Sequence, residues 1–219
     1  MMNQKFCITP FTSFCVEKHS AHPCVCGTWL KQNIGSSFNS SSLHATLKSW
    51  HSSIFDIFRE SVRSGTYQFC DKHLCPMCIE AEIDEIKEGI SDLTEDNANK
   101  VKNYLYGKDI LFRGTPSILK LDYDLTCNLA CPTCRKGIFT DNTVDKVWDN
   151  NVKPYLKTIS RLIISGRGEV FASKAYMSKL SEPLEVGPNF KGITIMTNAQ
   201  LLRDSWELIP SNNLIDKIF

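Results

Sequence analysis

The sequence predicts an α/β fold preceded by a small cysteine-rich α+β domain, and three observations carry this prediction. From residue 117 onwards, short apolar runs alternate with amphipathic segments of helix length, as in strand–helix units of a parallel sheet. Seven cysteines, separated by turn-forming residues, lie between Cys7 and Cys78. The composition is that of a globular protein, with 219 residues of which 42% are hydrophobic and 22% charged. We therefore expect residues 1–90 and 117–219 to form separate domains, joined by a linker at 91–116.

The composition also excludes several classes of protein. The 25 Lys+Arg against 24 Asp+Glu argue against a nucleic-acid or anionic-membrane surface, because both need clustered cations. No apolar run approaches the roughly 20 residues of a membrane-spanning helix, and the first residues lack the apolar core of a secretory leader. We expect a cytoplasmic protein, in which reduced, clustered cysteines are more often metal ligands or catalytic groups than disulfides.

The N-terminal region is predicted to hold few regular elements. Residues 1–40 are turn-rich, and we expect them to be irregular. Apolar residues at steps of three and four predict one amphipathic helix over 43–62, which Gly65 can end. A knuckle, CDKHLCPMC at 70–78, leads into a charged helix at 79–90, and one short helix is expected near 101–106.

The C-terminal region reads as repeated strand–helix units. We expect about four strands, at 117–125, 161–165, 192–197 and 214–219. The helices between them are expected at 143–157, 171–180 and 200–209. Such units build a parallel sheet with right-handed crossovers.

A CxxxCxxC motif follows the first of these strands. It places Cys127, Cys131 and Cys134 within eight residues, close enough to surround one metal centre. A structural zinc site would use four ligands, and neither Cys nor His follows Cys134 in the sequence. Three thiolates suit a 4Fe–4S cluster that leaves one iron open to an outside ligand. The motif therefore predicts a catalytic iron–sulfur site.

Residues 117–219 resemble the core of the radical S-adenosylmethionine enzymes. Besides CxxxCxxC, a Gly-Arg-Gly-Glu segment at 166–169 stands where that family has Gly-Gly-Glu-Pro, after the second strand. Thr-Asn-Ala at 197–199 stands where the family often has Thr-Asn-Gly, after the third. Two departures are Thr133, where an aromatic residue is common, and Arg167, which replaces a small residue. The resemblance implies a partial (β/α) TIM-like barrel, and the residues implied to contact S-adenosylmethionine are Gly166, Gly168, Glu169, Thr197 and Asn198.

The same resemblance implies a reaction and its partners. The cluster on Cys127, Cys131 and Cys134 would cleave S-adenosylmethionine to methionine and a 5′-deoxyadenosyl radical, which takes hydrogen from a peptide or small-molecule substrate. An electron donor such as flavodoxin or ferredoxin is implied. The family barrel has about six strands and this sequence about four, so that a partner completing the barrel is also expected. An alternative is a truncated or partner-dependent fragment that binds the cluster without turnover.

Residues 7–78 resemble the SPASM or twitch domains that accompany many of these enzymes, which implies an auxiliary 4Fe–4S cluster. The candidate ligands are Cys7, Cys24, Cys26, Cys70, Cys75 and Cys78. One set of four combines Cys7, Cys75 and Cys78 with either Cys24 or Cys26, with Cys70 as a competitor. The alternative is a zinc-binding structural or interaction module, in which His44, His51 or His73 supplies a fourth ligand.

Overall fold

The computed structural model describes most of the chain, and its secondary structure is mixed α/β, as predicted. The described residues are 6–31, 36–37, 45–75, 90–91, 93–142, 145–164 and 167–219. The predicted helix at 79–90 lies outside them except for its last residue. The chain divides into two units: Met1–Cys15, Ser20–Phe38 and Ala45–Ser117 form the first, and Val16–His19, Asn39–His44 and Ile118–Phe219 the second.

The N-terminal part of the chain contains regular elements that the sequence did not predict. They are helix α1 (Thr9–Thr12) and strands β1 (Ser13–Glu17), β2 (Ser20–His22) and β3 (Ser36–Ser37). Pro10 is tolerated in the first turn of α1, where its missing N–H has no helical partner to lose. Strands β2 and β3 pair antiparallel, with Ser20 opposite Ser37. The expectation of an irregular segment was wrong because these elements are too short to show a periodic pattern.

The predicted helix over 43–62 is divided into two. Helix α2 (Ala45–Trp50) ends before the polar residues His51 and Ser52, and α3 (Ser53–Arg63) begins after them, with Ser52 extended at φ −73°, ψ 154°. Serine competes for backbone hydrogen bonds and therefore favours helix ends. Gly65 follows the end of α3 as predicted, with φ +73°, a conformation that glycine adopts without steric cost.

Helix α4 (Glu95–Leu105) is longer than the short helix predicted near 101–106. Thr94 caps its N-terminus, because the Thr94 side chain accepts a hydrogen bond from the N–H of Asn97. Glu95 and Asp96 in the first turn add a favourable interaction with the helix dipole. Threonine followed by two acids was the sequence signal for this start.

The core of the first unit is an aromatic cluster built around a buried cation. Arg59 is completely buried, and its Nε donates to the carbonyl of Pro10 at 2.9 Å and its Nη2 to that of Trp50 at 3.0 Å. The guanidinium carbon lies 4.3 Å from the centre of the Trp50 ring and 4.8 Å from that of Phe112. Burial lowers the pKa of Arg59 to about 10. Other members of the cluster are Phe11, Phe14, Phe55 and Tyr104.

The second unit contains four parallel strands that are neighbours in chain order. They are β4 (Ile118–Asp122), β5 (Arg161–Ile164), β6 (Gly192–Ile195) and β7 (Ile215–Ile218). The register aligns Leu119 with Leu162, Leu162 with Ile193 and Ile193 with Ile215. Each of the four predicted strands is confirmed, with ends shifted by up to three residues.

Three helices connect these strands, at the places that the sequence predicted. They are α5 (Asp145–Asn151), α6 (Lys174–Leu180) and α7 (Leu202–Trp206). Helix α5 is shorter than predicted and is followed by a 3-10 helix, Lys153–Tyr155, that contains Pro154, a residue that cannot donate to a continuing α-helix. Because the strands are parallel and adjacent, the loops that follow β4, β5 and β6 emerge at one edge of the sheet. No helix among the described residues is long and apolar enough to cross a membrane.

Candidate functional site

The CxxxCxxC motif forms a closed loop after β4. At its base, the N–H of Cys127 donates to the carbonyl of Phe139 at 2.9 Å in an antiparallel bridge. At its tip, the N–H groups of Cys134 and Arg135 both donate to the carbonyl of Cys131 at 2.9 Å, which makes a tight turn. Cys127 is half-buried, whereas Cys131 and Cys134 are exposed. The backbone hydrogen bonds thus hold a loop with two of its three thiols at the surface.

The loop after β5 packs directly against the start of this cysteine loop. A Cβ on Gly168 would lie 2.6 Å from the carbonyl oxygen of Asp124 and 2.7 Å from that of Thr126, so only glycine fits there. The N–H of Glu169 donates to the same Thr126 carbonyl at 2.7 Å. Gly166, the other predicted glycine of this segment, lies outside the described residues. The absence of a side chain at Gly168 therefore lets the loop after β5 pack against the backbone at 124–126.

Glu169 joins the loop after β5 to the loop after β6. Its side chain is buried, and Oε1 accepts hydrogen bonds from Thr197 Oγ1 at 2.6 Å and from the N–H of Phe171 at 3.2 Å. Oε2 accepts from the N–H of Asn198 at 2.7 Å. A carboxylate has about four acceptor positions, and three of them are used here. Glu169 therefore joins the two loops through its carboxylate.

The loop after β6 in turn contacts the cysteine loop through side-chain amides. Asn198 Nδ2 donates to Asn128 Oδ1 at 2.9 Å, and Asn128 Nδ2 donates to Gln200 Oε1 at 3.1 Å. The N–H of Gln200 donates back to Asn198 Oδ1 at 3.0 Å. Between them, Ala199 has φ +62°, a left-handed conformation unusual for a residue with a Cβ. These bonds close a ring that fixes Asn128, inside the motif, to the third loop.

The structure thus brings together all three sequence motifs at one edge of the sheet. The sulfur atoms themselves are not gathered at ligating distances: among the described residues, no three Cys, His, Asp or Glu side chains are grouped for a metal ion. Cys131 and Cys134 are exposed, and their side chains can therefore change rotamer without disturbing packing. In its chemistry, a set of three thiols on one loop fits a 4Fe–4S cluster with one open iron.

Sequence reasoning missed the polar residues that connect these motifs. Asn128 lies within CxxxCxxC, and Arg135 directly follows it, so their positions were visible although their contacts were not. Gln200 follows the Thr-Asn-Ala segment. Their partners are 10 to 72 residues away along the chain, and no local pattern encodes such pairs.

A cavity lies beside the cysteine loop. Its volume is about 580 Å³, within the range of small-molecule sites. Its lining combines cationic and apolar side chains. It includes Cys134, Arg135, Lys136, Ile138, Phe139 and Arg167. Arg167 also pairs with Glu17, with 3.0 Å between Nη2 and Oε1.

The cysteines of the first unit have a different environment. Cys24 is buried in an apolar cluster with Leu30, Phe58 and Cys70. Burial, to which the neighbouring Cys7, Cys26 and Cys75 add a smaller effect, raises the pKa of Cys24 to about 12. The structure therefore brings five of the six predicted ligands into one neighbourhood of the first unit, and Cys78 lies outside the described residues. A bound cation would reverse the effect of burial and favour the thiolates.

Comparison with known proteins adds no relative, because no protein-family model, curated protein or solved structure matches the chain.

Proposed function

We propose that this chain is a radical S-adenosylmethionine enzyme whose core is the second unit. The observation that supports this most is the hydrogen-bond network that joins the loops after β4, β5 and β6. Glu169 accepts from Thr197 and from Asn198, and Asn198 donates to Asn128 beside Cys127. An arbitrary CxxxCxxC knuckle has no reason to be joined to a Gly-Glu turn and a Thr-Asn turn on the next two strands.

The order of the strands supports the partial (β/α) TIM-like barrel that the proposal needs. From β4 to β7, each strand lies beside the one that precedes it in the chain. Successive addition of parallel strands is the way in which a (β/α) barrel is built. Among the described residues, β7 stands at the end of the strand order, with β6 as its neighbour. A partner that adds strands beside β7 would extend this parallel sheet.

The proposed chemistry assigns separate roles to cofactor and chain. Cys127, Cys131 and Cys134 would hold a 4Fe–4S cluster, which when bound would supply the electron for reductive cleavage of the sulfonium C–S bond of S-adenosylmethionine to methionine and a 5′-deoxyadenosyl radical. The chain positions the ligand loop through the base of the loop and the Asn128 amide. Glu169, held by three donors, keeps a carboxylate oriented beside the thiol loop, where its remaining acceptor position suits the cofactor's ammonium group.

The substrate is proposed to be a peptide or a small molecule, with an electron donor such as flavodoxin or ferredoxin. The cavity beside Cys134 supports a ligand that combines anionic and apolar groups. Its lining includes the cations Arg135, Lys136 and Arg167 and the exposed apolar side chains of Ile138 and Phe139. Such a lining suits the carboxylate and side chains of a peptide.

An auxiliary 4Fe–4S cluster is proposed for the first unit, on thiols from the set Cys7, Cys24, Cys26, Cys70, Cys75 and Cys78. The influence of Cys7, Cys26 and Cys75 on the pKa of Cys24 supports this, because it places these thiols near one another and a bound cation would favour their thiolate forms. Zinc bound by the same thiols is the alternative, and metal analysis distinguishes it from an iron–sulfur cluster.

Metal analysis tests the proposal. The full chain is reconstituted anaerobically with iron and sulfide, and iron, sulfide and zinc per chain are measured in wild type, Cys131→Ala and the loop control Thr133→Ala. We expect iron and sulfide in equal amounts in wild type and in Thr133→Ala, and a loss of about four irons in Cys131→Ala. Zinc without sulfide, or the same iron content in all three proteins, would contradict the proposal.

A further inference from the structure

We propose that Arg135 is a positioning residue: its guanidinium ties the cysteine loop to the loop after β5 and raises the reduction potential of the centre that Cys134 helps to hold. The first half of this inference stands on the geometry alone. The second half rests on the proposed function.

Three groups from three segments accept hydrogen bonds from this one side chain. Nη1 donates to the carbonyl of Leu125, just after β4, at 2.7 Å. Nη2 donates to the carbonyl of Arg167, in the loop after β5, and also to Cys134 Sγ at 3.6 Å. The planar guanidinium presents its donors in a fixed fork, so these contacts hold the segments in one relative position.

The neighbouring cations do not share this role. The side chain of Arg167 points to Glu17, and only its backbone carbonyl accepts from Arg135. Lys136 is exposed, and among the described residues no hydrogen bond or ion pair involves its side chain. Arg135 and Lys136 are adjacent and carry the same charge, which makes Lys136 the matched control.

A permanent cation beside a ligand sulfur has a predictable electrochemical effect. A hydrogen bond to a cluster sulfur stabilises the more electron-rich, reduced form, and therefore raises the reduction potential. Removal of Arg135 is thus expected to make the potential more negative, beyond the general effect of losing one positive charge from the site.

The first experiment uses the chain without metal and measures amide hydrogen exchange in wild type, Arg135→Gln, Arg135→Lys and Lys136→Gln. We expect faster exchange in Arg135→Gln at two separate segments, the turn at 131–135 and the amide of Glu169. Arg135→Lys, which lacks the fork, should lie between Arg135→Gln and wild type, and Lys136→Gln should match wild type. If Arg135→Gln does not fold, faster exchange in Arg135→Lys than in Lys136→Gln at these two segments supports the inference. Unchanged exchange in both Arg135 variants would overturn the inference.

The second experiment measures the midpoint potential of the reconstituted proteins by a redox titration followed by electron paramagnetic resonance. We expect a more negative midpoint in Arg135→Gln than in Lys136→Gln, with Arg135→Lys between Arg135→Gln and wild type. Equal shifts in Arg135→Gln and Lys136→Gln would overturn the electrostatic half. If wild type itself takes up no iron, the proposed function fails, while the exchange experiment still decides whether Arg135 holds the loops together.

Discussion

The two groups of thiols in this chain lie in opposite environments. Cys131 and Cys134 are exposed on a loop whose backbone is held by hydrogen bonds, whereas Cys24 and Cys75 are buried, and burial raises the pKa of Cys24 to about 12. An exposed ligand set can admit an exchangeable molecule at its metal. A buried set keeps its thiols neutral until a cation enters. Spacing alone does not reveal this difference, because it depends on how deeply the fold buries each thiol.

Alkylation measures this difference directly and should give the largest effect. Below the pKa, each unit by which the pKa of a thiol rises reduces its thiolate fraction about tenfold. Cys24 therefore holds about a thousandfold less thiolate than a thiol with the ordinary pKa of 9.0. In the native, metal-free chain at pH 8, we expect iodoacetamide to modify Cys131 and Cys134 first, and Cys24 only in denaturant. The Cys24 rate should rise as the pH increases from 9 towards 12. Mass spectrometry of the peptides would contradict the comparison if all three reacted at similar rates.

Arg59→Ala should break the first unit. It leaves the buried carbonyls of Pro10 and Trp50 without a donor and empties a large volume in the aromatic cluster, which should reduce the free energy of unfolding by about 3–5 kcal/mol. Arg63→Ala, on the same helix but paired with Glu60 at the surface, should cost about 1 kcal/mol or less. Urea unfolding followed by circular dichroism compares the two. A similar cost for both would show that the buried cation does not organise the core.

Gly168→Ala should break the second unit instead. The added Cβ would meet the carbonyl oxygens of Asp124 and Thr126, and we expect a loss of about 1–3 kcal/mol from the repulsion and the shift of backbone that relieves it. Gly137→Ala is the control in the cysteine loop, since nothing lies within 4 Å of its added Cβ. Thermal melting should separate the variants, and equal melting temperatures would contradict the close packing of the two loops.

The smallest effect is expected at Ala199. Its φ of +62° disfavours a side chain, so Ala199→Gly removes strain of about 1 kcal/mol while it adds freedom to the unfolded chain. The variant should be as stable as wild type or slightly more so. Ala175→Gly, inside α6, should lose about 1 kcal/mol. A comparable loss at both positions in urea unfolding would show that the left-handed turn stores no strain.

The strands and helices of the second unit could be predicted well because each has a recognisable local sequence pattern. Runs such as RLII and GITI are rich in β-branched and aliphatic residues, and they form the largely buried strands β5 and β6. The Gly-Arg-Gly-Glu segment was placed after β5 from the sequence, whereas the packing of Gly168 against the backbone of Asp124 and Thr126 is seen only in the structure.

The first unit and the polar contacts of the site could not be predicted in the same way. Strands of two to five residues and the break between α2 and α3 leave no periodic pattern to find. The contacts of Arg135 and Asn128 depend on which loops the sheet brings together, and their side chains alone carry no information about that.

The release of 5′-deoxyadenosine tests the central claim most directly. The reconstituted chain is incubated anaerobically with dithionite and S-adenosylmethionine, and the nucleoside is quantified for wild type, Cys131→Ala and Cys24→Ser. The account predicts release by wild type, none from Cys131→Ala, and release from Cys24→Ser, whose thiol lies in the first unit. The same release from Cys131→Ala as from wild type, or no release from a wild-type chain that carries four irons and sulfide, would contradict it.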